Sequence, residues 1–285
     1  MILTADSGST KTDWCLTTND VTAGTIRTQG INPYHMTAEK IKDILHSQLL
    51  PVLDEKHSVR EIHAIRFYGA GCTPAMCPEM KEILMETFPD TEDIEVGSDL
   101  LGAAKALCGD AEGIACILGT GSNSCLYDGR AIVMNVPPMG YILGDEGSGA
   151  VLGKTFIGEL YKGCHEEFIP VFEKETGLSQ DEIIQWVYRE PVPNRFLASL
   201  STFIHRHLKD NDWIEETVTE CFRLFFRRNV SHYGRPDLPV NFVGSIAFHY
   251  REQLEKAARL ENFTIGKVME APLQSLSPRL DEMPR

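Results

Sequence analysis

A turn rich in glycine and hydroxyl side chains occurs twice in this chain, and that repetition limits the fold more than any other feature. The first copy is Asp6-Ser7-Gly8-Ser9-Thr10-Lys11-Thr12-Asp13, set between residues 1–5 and 12–17, which read as strands. The second is Gly119-Thr120-Gly121-Ser122-Asn123, entered from Ile117-Leu118 and left through Ser124-Cys125-Leu126-Tyr127. With the turns aligned, Thr10 meets Thr120, Cys15 meets Cys125 and Leu16 meets Leu126. A hairpin of this composition offers backbone N–H groups and hydroxyls to an anion, and Gly8 lets the chain approach it closely. Taken alone, the first turn is equally an ordinary polar hairpin. Two such turns point to two similar half-proteins facing each other across a cleft.

The residues beside these turns carry chemistry. Asp6 ends the first strand, where a carboxylate can hold a hydrated Mg²⁺, and Lys11 adds positive charge. Asp99 follows the short strand 94–96 and Gly97-Ser98, and it opens the helical run 100–107. Ligands of open α/β sheets gather at the carboxyl ends of strands. A carboxylate there can accept a proton from a substrate hydroxyl. The plainer role for Asp99 is an N-cap, although Ser98 can take that duty instead. Further on, Gly144-Asp145-Glu146-Gly147-Ser148-Gly149 sets two adjacent carboxylates among glycines before the helix 150–161. Packing does not need that arrangement, and ligand contact explains it better. The buried strand 240–243 ends in Gly244-Ser245-Ile246-Ala247, a turn suited to the close approach of an adenosine moiety.

Composition narrows the partners. The net charge of −14 argues against nucleic acid or an anionic membrane. No apolar run approaches the ~20 residues of a membrane span, and Asp6 comes too early for a secretory leader. The eight cysteines are scattered without a Cys-x-x-Cys pair, and Cys15, Cys116 and Cys125 sit in apolar strands. That reads as reduced thiols in a cytoplasmic protein. Cys72 and Cys77 are the one close pair and read as chance neighbours rather than a metal site. With 285 residues, core size is no constraint.

Taken in order, residues 21–29 give a third strand, and Asn32 is held extended before Pro33. Thr37 caps a helix through Leu49, and a strand over 61–69 ends in the turn Gly69-Ala70-Gly71-Cys72. A helix over 78–88 precedes Asp99. The second half begins near Gly109 and repeats the three-strand opening at 113–118, 124–127 and 131–136. Residues 165–233 read as a helical insertion, with segments at 180–189, 194–208 and 213–233, and with His205 and His207 on its surface. A helix over 248–259, a strand over 263–268 and a last helix over 272–280 complete the chain.

These motifs, in this order, resemble the phosphate-1, phosphate-2 and adenosine elements of the actin, hexokinase and Hsp70 ATPase superfamily. Gly144–Ser148 and Ser98-Asp99 are similar to the branch holding N-acetylglucosamine kinase and the BadF/BadG-type ATPases. The resemblance covers nearly the whole chain. It implies an α/β protein of two duplicated ribonuclease H-like (actin-like ATPase) domains, residues 1–108 and 109–285, with ATP and a sugar in the cleft. The last helix would fold back on the first domain.

By position, the resemblance makes Asp99 the general base and Asp6 the organiser of Mg²⁺. Gly8, Ser9, Thr10, Lys11, Gly119, Thr120 and Gly121 would surround the phosphates, with Gly244 and Ser245 near the adenosine. Asn32, Gly71, Asn123, Asp145 and Glu146 would face the sugar. The implied activity is ATP-dependent phosphorylation of an amino-sugar hydroxyl, N-acetylglucosamine at its 6-position first, with glucosamine or a related sugar as the alternative. Met139 departs from the pattern, because similar kinases tend to carry Trp there. The resemblance and base rates also imply a homodimer. The rival within the fold is an ATP-driven activator of a radical dehydratase, which needs cluster-binding cysteines that only Cys72 and Cys77 could supply.

Overall fold

The computed structural model describes residues 1–8, 11–18, 21–56, 59–163 and 165–273. The chain divides into two compact units, Met1–Gly109 and Asp110–Glu270, and the described residues 271–273 group with the first. The helix expected over 272–280 lies almost wholly outside the described residues.

The first unit is built on β1 (Ile2–Ser7), β2 (Lys11–Thr18), β3 (Val21–Gln29), β4 (Ala64–Gly69) and β5 (Asp93–Ser98). Their order is β3-β2-β1-β4-β5, with β1 to β3 antiparallel and β4 and β5 parallel to β1. Leu3, Ala5, Trp14, Phe67 and Ile65 are wholly buried in the core with Leu45, Leu49, Met80 and Leu84 from the covering helices. The Trp14 indole N–H donates to Thr28 Oγ1 at 3.0 Å, so the largest buried ring keeps its polar atom satisfied. Thr37 caps its helix by accepting from the Lys40 amide. The strand expected from residue 61 starts only at Ala64, because Val59–Glu61 close into a 3-10 turn before it.

The second unit repeats the plan. Strands β6 (Glu112–Leu118), β7 (Ser122–Asp128), β8 (Ile132–Asn135), β9 (Val240–Val243) and β10 (Ile265–Met269) lie in the order β10-β9-β6-β7-β8. Three consecutive antiparallel strands and two parallel strands reached by helical crossovers thus occur twice.

The crossover from β8 to β9 is much the longer of its kind. It holds helices Gly140–Leu143, Gly149–Lys162, Ile169–Thr176, Gln180–Tyr188, Pro193–Ser199, Ser201–His207 and Asp212–Arg228. These helices share one core with the sheet, in which Phe172, Phe203, Phe222, Phe225 and Phe226 join Cys116, Leu118 and Phe242. Two helices expected as continuous are broken, at Leu200 and at Tyr250. Tyr250 is buried and its hydroxyl donates to Ser201 O at 2.6 Å, a contact that joins the two breaks. His205 is exposed as expected. His207 is instead half-buried, packed on Phe203 and paired with Glu175 at 3.1 Å. Among the described residues, no helix is long and apolar enough to cross a membrane.

Candidate active site

Strand register gathers the first unit's residues. Ser7, Gly69 and Ser98 are lateral partners, so β1, β4 and β5 end side by side. Asp6, Gly71 and Asp99 therefore stand at one edge of the sheet. Ser98 is the helix cap, accepting from the Leu101 amide at 3.1 Å. Asp99 keeps one carboxylate oxygen on the Leu100 amide at 2.8 Å. Burial pushes the Asp99 carboxyl up, against the pull of that amide. Asp6 is raised to about 6, by burial first and then by the nearby charges of Asp99 and Asp13, with Lys11 opposing. Two half-buried carboxylates at the same end of the sheet resist being charged together unless a proton or a cation compensates.

Asn32 and Gly71 are also brought together. Asn32 is buried, and its Oδ1 accepts from the Tyr34 amide at 3.0 Å. A Cβ on Gly71 would overlap that same Oδ1, and Gly71 has a φ of 80°. Only glycine meets both demands. Gly71→Ala is therefore expected to cost about 1–2 kcal/mol in backbone strain, before any displacement of Asn32. Denaturant melts check it, and a variant as stable as the parent would contradict this account of Gly71.

The first turn divides its labour. Ser7 and Thr12 are wholly buried, and their hydroxyls meet at 2.6 Å. Ser7 Oγ donates to Ile31 O at 2.8 Å, and the Ile31 amide returns hydrogen bonds to Ser7 Oγ at 3.1 Å and Thr12 Oγ1 at 3.2 Å. These hydroxyls face inward and fasten the hairpin to the residue before Asn32; they are not offered to an anion. Gly8 is exposed, and its amide donates to Lys11 O at 2.9 Å. The Lys11 ammonium lies 2.7 Å from Asp13, which Arg27 also holds at 2.6 Å. Burial raises the Asp13 carboxyl, but the Lys11 and Arg27 hydrogen bonds outweigh it and hold it low. Ser9 and Thr10, expected at the phosphates, lie outside the described residues.

In the second unit, Gly119, Gly121, Asp145 and Gly244 cluster. The Gly119 and Thr120 carbonyls accept from the Gly149 and Ala150 amides at 2.8 and 3.1 Å, which docks the turn on the helix start. The amides of Thr120 and Gly121 make no hydrogen bond among the described residues. Asp145 takes a φ of 53°, and its carboxylate lies 3.1 Å from where a Gly121 Cβ would stand. Burial raises the Asp145 carboxyl, a hydrogen bond from the Ser122 amide opposes that, and Glu146 adds to the rise. Gly244 has a φ of 122°, and a Cβ there would overlap the Leu118 carbonyl. Its glycine thus answers a backbone packing need, and Ser245 beside it is exposed.

Glu146 separates from this group. Its carboxylate pairs with Arg228 at 3.1 Å and accepts from Asn229 Nδ2 at 3.3 Å. Met139 has a φ of 62° and is 60% exposed, next to the exposed Ile142 and Leu143. Asn123 is tied by its Oδ1 to the Ser124 amide and to Asn135 Nδ2, both at 2.9 Å. Asn135 went unnoticed in the sequence, as did Tyr233, whose hydroxyl sits 2.7 Å from Ser124 Oγ. A carboxamide at the end of the third strand of a repeat was the available signal.

Of the Cys72–Cys77 pair, Cys72 is buried and Cys77 half-buried. Burial pushes the Cys72 thiol to about 12, and Cys77 Sγ donates to the Cys72 carbonyl at 3.5 Å. Neither is poised as a thiolate ligand.

Comparison with known proteins agrees with this fold. No family model and no curated protein matches the chain. Among solved structures, a ROK hexokinase of Thermus thermophilus superposes with a TM-score of 0.57 at 14% identity, over 96% of each chain. A Chromobacterium violaceum protein superposes with a TM-score of 0.71 at 17% identity, again over 96% of each chain. The repeated sheets and these likenesses define an α/β chain of the two-domain actin-like ATPase fold. A Porphyromonas gingivalis protein is 52% identical over 97% of both chains, with a TM-score of 0.92. It and the Chromobacterium protein are each named a putative N-acetylglucosamine kinase. At that identity the chain belongs to the family of the Porphyromonas protein, the N-acetylglucosamine kinase family.

Proposed function

We propose that this protein is an ATP-dependent kinase that phosphorylates a hydroxyl of an amino sugar, N-acetylglucosamine first, at its 6-position. The observation that carries the reading is the pair Asp6 and Asp99 at the same end of one sheet, on strands flanking β4, with Ser98 relieving Asp99 of capping. Phosphoryl transfer asks mainly for positioning and for charge stabilisation of the moving group.

Asp99 accepts the proton of the attacking hydroxyl and orients its oxygen. Asp6 suits Mg²⁺, which takes one or two carboxylates and completes its shell with water and phosphate oxygens. Its raised carboxyl beside Asp99 supports a cation at this place. Mg²⁺ would neutralise phosphate charge there. The free amides of Thr120 and Gly121 suit phosphate oxygens. Gly8, Ser9, Thr10 and Lys11 are assigned to the same phosphates, and Gly244 and Ser245 to the adenosine. Asn32, Gly71, Asn123 and Asp145 are assigned to the sugar. The Arg228 ion pair of Glu146 gives that residue a supporting role instead. The described cysteines are all thiols, which supports a reducing compartment, the cytoplasm.

A coupled ADP-release assay with Mg-ATP against N-acetylglucosamine, glucosamine, N-acetylmannosamine and plain hexoses tests the reading. Strong stimulation by an amino sugar is the expected result. ADP release indifferent to every sugar would overturn it.

A further inference from the structure

The β7–β8 ladder ends at the pair Cys125 and Asn135. Beyond it, two side chains take over from the backbone. Tyr233 accepts from the Val136 amide at 3.3 Å, and its hydroxyl meets Ser124 Oγ at 2.7 Å. Asn135 Nδ2 reaches Ser124 O at 2.7 Å, Val136 O at 3.2 Å and Asn123 Oδ1 at 2.9 Å.

The orientation of both carboxamides follows from these partners. A backbone carbonyl can only accept, so the Asn135 atom facing Ser124 O and Val136 O must be its nitrogen. A backbone amide can only donate, so the Asn123 atom facing the Ser124 amide at 2.9 Å must be its oxygen. Asn135 has two N–H groups for three acceptors, and the two nearest, Ser124 O at 2.7 Å and Asn123 Oδ1 at 2.9 Å, take them, so the Asn123 oxygen is occupied twice. Asn123 Nδ2 is left with no hydrogen bond among the described residues. Its two N–H groups are the only polar edge it can turn to a ligand.

From this we infer that Asn135 is a positioning residue that locks Asn123 as a donor-only contact for the sugar. This rests on the assignment of Asn123 to the sugar in the proposed kinase. The sugar group opposite Asn123 must then be an acceptor, an acyl carbonyl or hydroxyl oxygen, and not an ammonium group.

Asn135→Ala, Asn123→Ala, the double variant and Tyr233→Phe are compared by steady-state kinetics and thermal melts. Loss of the lock should raise the sugar KM of Asn135→Ala by about tenfold, with kcat and the ATP KM within about threefold. In the Asn123→Ala background the same change should add nothing to the sugar KM. Tyr233→Phe loosens the same strand end and should lower Tm while leaving the sugar KM in place. A sugar KM unmoved by Asn135→Ala would overturn the inference, as would an effect that persists fully without Asn123. A parent enzyme active on no sugar would overturn the kinase reading and the inference with it.

Discussion

Asp99→Asn should lower kcat by about 10²–10⁴-fold while nucleotide affinity stays within about twofold, the size expected for loss of a general base. The helix start should survive, because Ser98 supplies the cap and an asparagine oxygen can still accept from the Leu100 amide. Loss of turnover would then be chemical rather than a matter of folding. A second signature lies in the pH profile. Burial raises the Asp99 carboxyl above the ordinary range, so the parent rate should fall on the acid side as Asp99 takes up a proton. That acid limb should be absent from the residual activity of the variant. Activity within about threefold of the parent would remove Asp99 from the role of base.

Asp6→Asn should produce opposite effects on activity and stability. Turnover should fall by orders of magnitude, since the carboxylate suited to Mg²⁺ is gone. The metal-free protein should nevertheless become more stable at pH 8. Asp6 has a carboxyl raised to about 6 in the folded chain, against 3.8 for the unperturbed group. The folded state therefore binds more protons than the unfolded state between those values. The stability associated with Asp6 is complete below about pH 4 and is lost as pH rises through about 6. Asparagine removes that loss, a gain of about 1–2 kcal/mol at pH 8 once partial solvation is allowed for. Chemical denaturation at pH 5 and pH 8, without metal, reads both arms. A variant less stable than the parent at pH 8 would show that Asp6 is a structural carboxylate.

The legible parts of this protein were those whose meaning is local. The Gly/Ser/Thr turns repeat in composition, and both proved to join a central strand to its antiparallel neighbour. Ser98 and Asp99 could be sorted into cap and free carboxylate because capping depends on residues three apart. The less legible parts depend on distant chain. Ser7 and Thr12 look like anion ligands until Ile31 arrives beside them to take their hydroxyls. Glu146 looks like a twin of Asp145, but Arg228, from another helix, claims it. Asn135 means little without the register that ends β8 at that residue. The breaks at Leu200 and Tyr250 interrupt helical patterns that are locally sound, and the Tyr250–Ser201 contact ties them together.

The two sheets share one strand order, yet their crossovers after the third strand differ greatly in content. In the first unit that link is compact; in the second it carries seven α-helices among the described residues and most of the aromatic core. Lengthening a link adds little closure entropy, roughly 0.6 kcal/mol for each doubling. A chain of this plan can therefore take up additional residues at that single junction without altering any ladder pairing. Sequence differences among related proteins are therefore expected to concentrate in residues 136–239.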